Sequence, residues 1–275
     1  AGGACMTLVP VPVPGGGAPD SPHHIEKGEG DVILFLHGVG GGAFSWMPQI
    51  NSFSMKYKAA AWNMPGYGKS VLSDRMTFPD LAAALLALLN EANWNKVHLV
   101  GHSMGGMVAQ EFAVDHQNRL HSLTLSATSP SFGSPDGKFQ KKFVDARLGP
   151  LAEGKTMTDL ATELVQTMMS PDADPNGQQL AFDCMSDVAA ETYRAAVECI
   201  VTFEQRANLP KIEVPTLVLA GELDTNAPPP MMEKMASKIP GARYVCLPGL
   251  GHLANLDDPQ AFDAVLSGFI VSATN

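Results

Sequence analysis

The chain has 275 residues, 45% hydrophobic and 17% charged, with a formal net charge of −10. That length buries a sizeable core and fits one large domain, or one domain carrying an insertion, of ordinary globular-enzyme composition. The acidic balance argues against nucleic acid and against an anionic membrane surface as partners, although the field inside a pocket can differ in sign from the whole.

Residues 1–22 read as an extended N-terminal segment. Val and Pro alternate from Val9 to Pro14, a Gly-rich stretch follows, and no charged start leads into an apolar run as a secretory signal requires. His23 and His24 are read as belonging to this mobile start. Val32-Ile33-Leu34-Phe35-Leu36 is an unbroken apolar run, the pattern of a strand covered on both faces. It enters a glycine-rich loop, His37-Gly38-Val39-Gly40-Gly41-Gly42. Tyr57 to Asn63 is the next strand. Pro79 to Asn93 is an Ala/Leu-rich helix whose Pro79 and Asp80 suit a first turn. Its apolar run, Leu81 to Leu89, is too short to cross a bilayer. Four cysteines (Cys5, Cys184, Cys199, Cys246) show no Cys-x-x-Cys spacing, so free thiols and a cytoplasmic location are expected, and a Cys184–Cys199 bridge has nothing to support it.

Val97-His98-Leu99-Val100 then leads into Gly101-His102-Ser103-Met104-Gly105, followed by residues at helical spacing. A strand, a Gly-x-Ser-x-Gly turn and a helix together are the context of a serine nucleophile presented on a sharp bend. A bare Gly/Ser turn that merely starts a helix is the plainer alternative; the partners downstream decide against it. Leu217 to Gly221 is a buried strand followed by Glu222-Leu223-Asp224, and Tyr244 to Leu247 precedes a loop carrying His252. Ser103, Asp224 and His252 each follow a strand, where open parallel sheets gather their ligands. Ser103 is the expected nucleophile, His252 its base and Asp224 the acid that orients the imidazole. Glu222 is a rival for the acid; Asp224 is preferred because it lies further past the strand. No acid follows the strand at Leu123 to Ala127. The oxyanion donors are expected to be the backbone amides of Met104 and Val39, with Gly40 as an alternative to Val39.

The alternation of strands and helices stops near Ser129 and resumes at Val214. Residues 131–207 are therefore read as an all-helical lid, broken at Gly149-Pro150, Ser170-Pro171 and Asp174 to Gly177, inserted into a core of residues 23–130 and 208–275. The fold class is α/β, a doubly wound and mostly parallel sheet. The lid is rich in Met157, Met168, Met169 and Met185, with Phe143, Leu164 and Phe182. Met168 and Met169 are the candidates for an adaptable apolar pocket, together with Gly38, Gly40, His102 and Leu253. Lys138, Lys141, Lys142, Arg147, Arg194 and Arg206 are candidate carboxylate binders, each more ordinary as a solvated helix residue. The glycine-rich loop lacks Gly-Lys-Ser/Thr and Gly-x-Gly-x-x-Gly, and no His-x-x-x-His occurs, so neither a nucleotide cofactor nor a metal is expected.

From about Asp31 to Ile270 these residues resemble the α/β-hydrolase superfamily. Within it, His37-Gly38-Val39-Gly40-Gly41, Pro65-Gly66-Tyr67-Gly68-Lys69-Ser70, Gly101 to Gly106, Gly221-Glu222-Leu223-Asp224 and Gly251-His252-Leu253-Ala254-Asn255-Leu256 look like the β-ketoadipate enol-lactone hydrolase and carboxylesterase branch. The resemblance implies a lidded, cofactor-free serine hydrolase that uses water on a small ester or lactone. Asn63 stands where this branch commonly has Asp before Met/Arg-Pro-Gly, which touches a loop contact and not the triad. Ser103 argues against epoxide hydrolases and haloalkane dehalogenases, which carry Asp as nucleophile. Carbon–carbon bond hydrolases of ring-cleavage products keep the same triad, but usually with an aromatic residue soon after the histidine, where this chain has Leu253-Ala254-Asn255. They, an amide hydrolase and a slow-turnover receptor of hydrolase architecture are the alternatives.

Overall fold

A computed structural model describes residues 21–72, 75–133 and 137–274. The expectation for residues 1–22 therefore falls almost wholly outside the described residues, as does Cys5. Seven strands form one sheet: β1 (His24–Lys27), β2 (Val32–Leu36), β3 (Lys58–Trp62), β4 (Val97–His102), β5 (Leu120–Ser126), β6 (Thr216–Gly221) and β7 (Arg243–Leu247). Their order is β1-β3-β2-β4-β5-β6-β7, with β1 antiparallel to β3 and every other pair parallel. The chain leaves β2 for β3 on one side and then crosses to β4 on the other. That reversal opens a crevice at the carboxyl ends of β2 and β4, the place where open α/β sheets bind ligands.

The pleat explains the apolar run of β2. Val32, Leu34 and Leu36 point into one buried layer while Ile33 and Phe35 point into the other. Before the insertion, the connecting helices are α1 (Met47–Phe53), α2 (Phe78–Glu91) and α3 (Met104–His116). Thr77 caps α2 by accepting the Asp80 amide. Between β5 and β6 come α4 (Lys138–Ala152), α5 (Met157–Met168), α6 (Pro175–Ser186) and α7 (Ala190–Ile200). After β6, α8 (Pro229–Ala236), α9 (Ala254–Asp257) and α10 (Pro259–Thr274) complete the chain. Phe262, Leu266, Phe269 and Ile270 of α10 pack with Ile50 and Phe53 of α1 on the β2 face that carries Ile33 and Phe35.

Three expectations need correction. His24 belongs to β1 and is not part of a mobile start, and the His23 carbonyl accepts the Asn63 amide at 2.7 Å. Four residues with one apolar side chain, Ile25, suffice there because an edge strand pairs on one side only. Gly149-Pro150 does not break α4; Pro150 removes one bond of the ladder, to the Ala146 carbonyl, but sits in the last turn, and the helix ends two residues later at Ala152. Asp174 and Pro175 begin α6 and do not interrupt a longer one, with the Asp174 carboxylate accepting the Asn176 amide at 2.9 Å. Cys184 and Cys199 are free thiols. Among the described residues no helix is long and apolar enough to cross a membrane.

Candidate active site

Ser103 lies between β4 and α3 with φ 52° and ψ −119°, a left-handed backbone that costs a non-glycine residue about 1–3 kcal/mol. The surroundings hold it there. Its amide donates to the Ser126 carbonyl at 2.9 Å, and its carbonyl accepts from the Thr128 hydroxyl at 2.7 Å and the Gly106 amide at 2.9 Å. Gly105 is required by close approach, because a Cβ there would collide with the Leu36 carbonyl at the end of β2. The bend leaves the Ser103 side chain partly accessible at the crevice.

The Ser103 Oγ stands 3.1 Å from His252 Nε2, and His252 Nδ1 stands 2.8 Å from Asp224 Oδ2. A carboxylate only accepts, so Nδ1 carries the proton and Nε2 is left to accept from the serine hydroxyl. The other Asp224 oxygen accepts the amides of Asn226 at 2.8 Å and Ala227 at 3.0 Å. Burial pushes the Asp224 carboxyl up, but the hydrogen bond and charge of His252, with those two amides, outweigh it and hold the group below the usual carboxylate range. Glu222 is exposed and accepts the Gly249 amide at 2.7 Å instead of reaching His252.

The loop after β2 is held by His37. Its Nδ1 donates to the Gly38 carbonyl at 2.8 Å and its Nε2 accepts the Met64 amide at 3.0 Å, so the neutral ring satisfies both partners. Complete burial pushes its pKa down to about 4, which keeps that form. The Gly38 carbonyl also accepts the Gly41 amide at 3.1 Å. In a trans peptide the following N–H points the opposite way, so fixing Gly38 C=O fixes Val39 N–H. The Tyr67 hydroxyl holds the Val39 carbonyl at 2.6 Å. A Cβ on Gly38 would stand 3.0 Å from Ser103 Cβ, which puts this loop directly beside the serine. Met104, the first residue of α3, has an amide with no intrahelical acceptor. Asn63 accepts the Ala43 amide through its side-chain oxygen at 3.0 Å, a bond an Asp would also make.

A cavity of about 270 Å³ opens over Ser103 and His252. Gly38, Val39, Gly40, His102, Met168 and Leu253 all line it, with Phe143 and Leu164. Met169 does not: α5 ends at Met168, and Met169 turns into extended backbone, buried in the core. Met185 of α6 lies on the wall instead, against Gly40. His102 donates from Nε2 to the His252 carbonyl at 2.8 Å; burial, then the neighbouring His252, push its pKa down to about 3. Sequence reading missed Asp257. It is 3% exposed and accepts the Ser170 amide at 3.0 Å and the Gly251 amide at 2.5 Å. It thereby ties the segment after α5 to the residue preceding His252. Among the described residues no group of three or more His, Cys, Asp or Glu is placed to hold a metal.

A doubly wound sheet with a strained serine at its switch point is the architecture of the α/β hydrolases. The family model described as alpha/beta hydrolase fold matches residues 31–259, and the chain belongs to that family. It is 26% identical over 244 residues to 3-oxoadipate enol-lactonase 1 of Acinetobacter baylyi, covering 88% of this chain and 89% of that one. It is 28% identical over 251 residues to the pimeloyl-(acyl-carrier protein) methyl ester esterase of Aeromonas hydrophila, covering 88% and 96%. Among solved structures, a malate-bound thermophilic esterase from Thermogutta terrifontis matches with a TM-score of 0.82 at 26% identity, covering 92% of this chain and 93% of that one. The enol-lactonase from Burkholderia xenovorans LB400 matches with a TM-score of 0.80 at 25% identity, covering 90% and 96%. The chain is a hydrolase of this fold.

Proposed function

We propose that this hydrolase cleaves a small carboxylic ester or lactone through a Ser103–His252–Asp224 triad and an acyl-enzyme. The observation that carries the reading is the unbroken hydrogen-bonded chain from Ser103 Oγ through His252 to the buried Asp224, opening on a largely apolar cavity. His252 Nε2 takes the hydroxyl proton as Oγ attacks the carbonyl carbon. The tetrahedral oxyanion then lies against the amides of Val39 and Met104, donors typically worth ~10²- to 10³-fold in rate each. As the intermediate collapses, the leaving oxygen takes the proton from His252. Water, deprotonated by the same nitrogen, attacks the ester carbonyl of the acyl-enzyme and releases the acid and free Ser103. Asp224 stabilises the imidazolium at both stages.

In this reading residues 131–207 are a lid over a core of residues 23–130 and 208–275. The lactonase and esterase names among the relatives support ester and lactone substrates, and the putative carbamate hydrolases also among them support a C–N bond as the second reading. The test is Ser103→Ala, assayed on a short p-nitrophenyl ester. Hydrolysis should fall at least about 10³-fold with an unchanged circular dichroism spectrum. Retained turnover in the variant refutes the nucleophile, and a single burst without turnover in the parent points to the receptor alternative.

A further inference from the structure

Of the six basic residues that the sequence offers as carboxylate binders, one lines the cavity over Ser103: Arg147, from α4. Lys141 and Arg206 are exposed and paired with Asp145 and Glu204, and Lys142 and Arg194 are exposed. Arg147 is half-buried, its guanidinium carbon 5.2 Å from the centre of the Phe143 ring. The Tyr193 hydroxyl, on a side chain from α7 that is 2% exposed, lies beside it. Among the described residues no Asp or Glu pairs with Arg147, and none lines the cavity.

An uncompensated guanidinium on an apolar wall is costly to desolvate and gains most from an anion that enters the cavity. Its planar fork matches a carboxylate bidentately, and stacking on Phe143 fixes the fork's orientation. Resting on the hydrolase reading above, we infer that the substrate is an acidic ester or lactone, whose second, free carboxylate pairs with Arg147 and accepts from Tyr193 while its acyl carbon meets Ser103. The net charge of −10 does not oppose this, because Arg147 alone, of the Asp, Glu, Lys and Arg among the described residues, lines the cavity.

The test compares monomethyl esters of C4 to C8 dicarboxylic acids with methyl esters of the same chain length ending in a methyl group. In the parent the acidic ester should be preferred in kcat/KM by ~10- to 100-fold at the best length, as a charge-assisted bond would give. Arg147→Met should abolish that preference, and Arg147→Lys should retain part of it. A parent that favours the neutral ester at every length overturns the inference, as does an Arg147→Met variant that slows both series alike. Binding of monomethyl adipate to Ser103→Ala, with and without Arg147→Met, separates the two claims by calorimetry. A dissociation constant that rises ~10- to 100-fold with Arg147→Met supports the anion site even if hydrolysis fails, and one that is unchanged refutes it while leaving the esterase reading intact.

Discussion

Replacing Asp257 by Asn keeps the side chain's shape and removes its charge. The carboxylate accepts two buried backbone amides, Ser170 N–H at 3.0 Å and Gly251 N–H at 2.5 Å, one on each oxygen. An Asn oxygen can keep one of these, and its NH₂ then faces the other N–H, donor against donor. An unsatisfied buried amide costs about 1–3 kcal/mol. Against this, burial pushes the Asp257 carboxyl up, so removing the charge recovers part of a desolvation cost. The net expectation is a loss of about 2 kcal/mol, read as a lower urea midpoint at unchanged m-value. Because Gly251 precedes His252, kcat on an ester substrate should also fall, by ~10-fold, with the larger effect on kcat than on KM. A variant as stable and as active as the parent would refute the bridging role of this carboxylate.

Two further predictions concern packing and acid. Gly177→Ala places a Cβ onto the Leu256 carbonyl oxygen, so α6 and α9 must separate at a cost of about 1–3 kcal/mol, whereas exposed Gly268 in α10 has nothing within 4 Å of a Cβ and its change to Ala should stabilise by about 0.5–1 kcal/mol. Urea titrations of the two variants should move in opposite directions; a shift of the same sign would show that the close approach is misread. Burial pushes His37 and His98 down to about 4 and His102 to about 3 from an ordinary 6.5, so unfolding takes up protons between these values. Stability is therefore fully present above pH 6.5 and is lost as the pH falls toward 4, each ring contributing at most about 1.4 kcal/mol per pH unit. The raised carboxyls of Asp257 and Asp263 act with the opposite sign, giving stability that is lost as pH rises through their folded values. A urea midpoint unchanged from pH 7.5 to pH 4.5 would contradict the histidine contribution.

What could be read from the sequence follows from how local the cause is. β2, β4 and β6 are buried on both faces, so their apolar runs stand out without any partner in view. The bend at Ser103 is legible because its steric demands fall on glycines two residues either side. Asp224 could be preferred to Glu222 from chain length past the strand alone, and Glu222 is indeed turned to the Gly249 amide. β1 is hidden because three of its four residues are polar, only Ile25 being apolar, and its pairing with β3 spans 30 residues or more of chain. Met169 was misassigned because helical periodicity stops guiding direction where α5 ends, one residue earlier. Asp257 had no local signature at all: one partner, Ser170, is 87 residues away. Arg147 was one of six equivalent cations until the fold put it on the cavity wall.

These long-range contacts converge on three successive residues. The Gly251 amide is held by Asp257 of α9, the His252 carbonyl by His102 at the end of β4, and the Leu253 amide donates at 3.2 Å to the Met168 carbonyl at the end of α5. Backbone bonds on both sides of His252 leave its ring little freedom, and Asp224 takes Nδ1, so Nε2 faces Ser103 before any substrate arrives. In the proposed reaction such preorganisation matters because a general base displaced by about 1 Å costs ~10²-fold in rate. It also makes the helices between β5 and β6 part of the site's geometry: two of the three backbone anchors, Asp257 through Ser170 and Leu253 through Met168, run to the segment that begins where α5 ends. Loosening that segment should therefore disturb the imidazole before it disturbs the sheet.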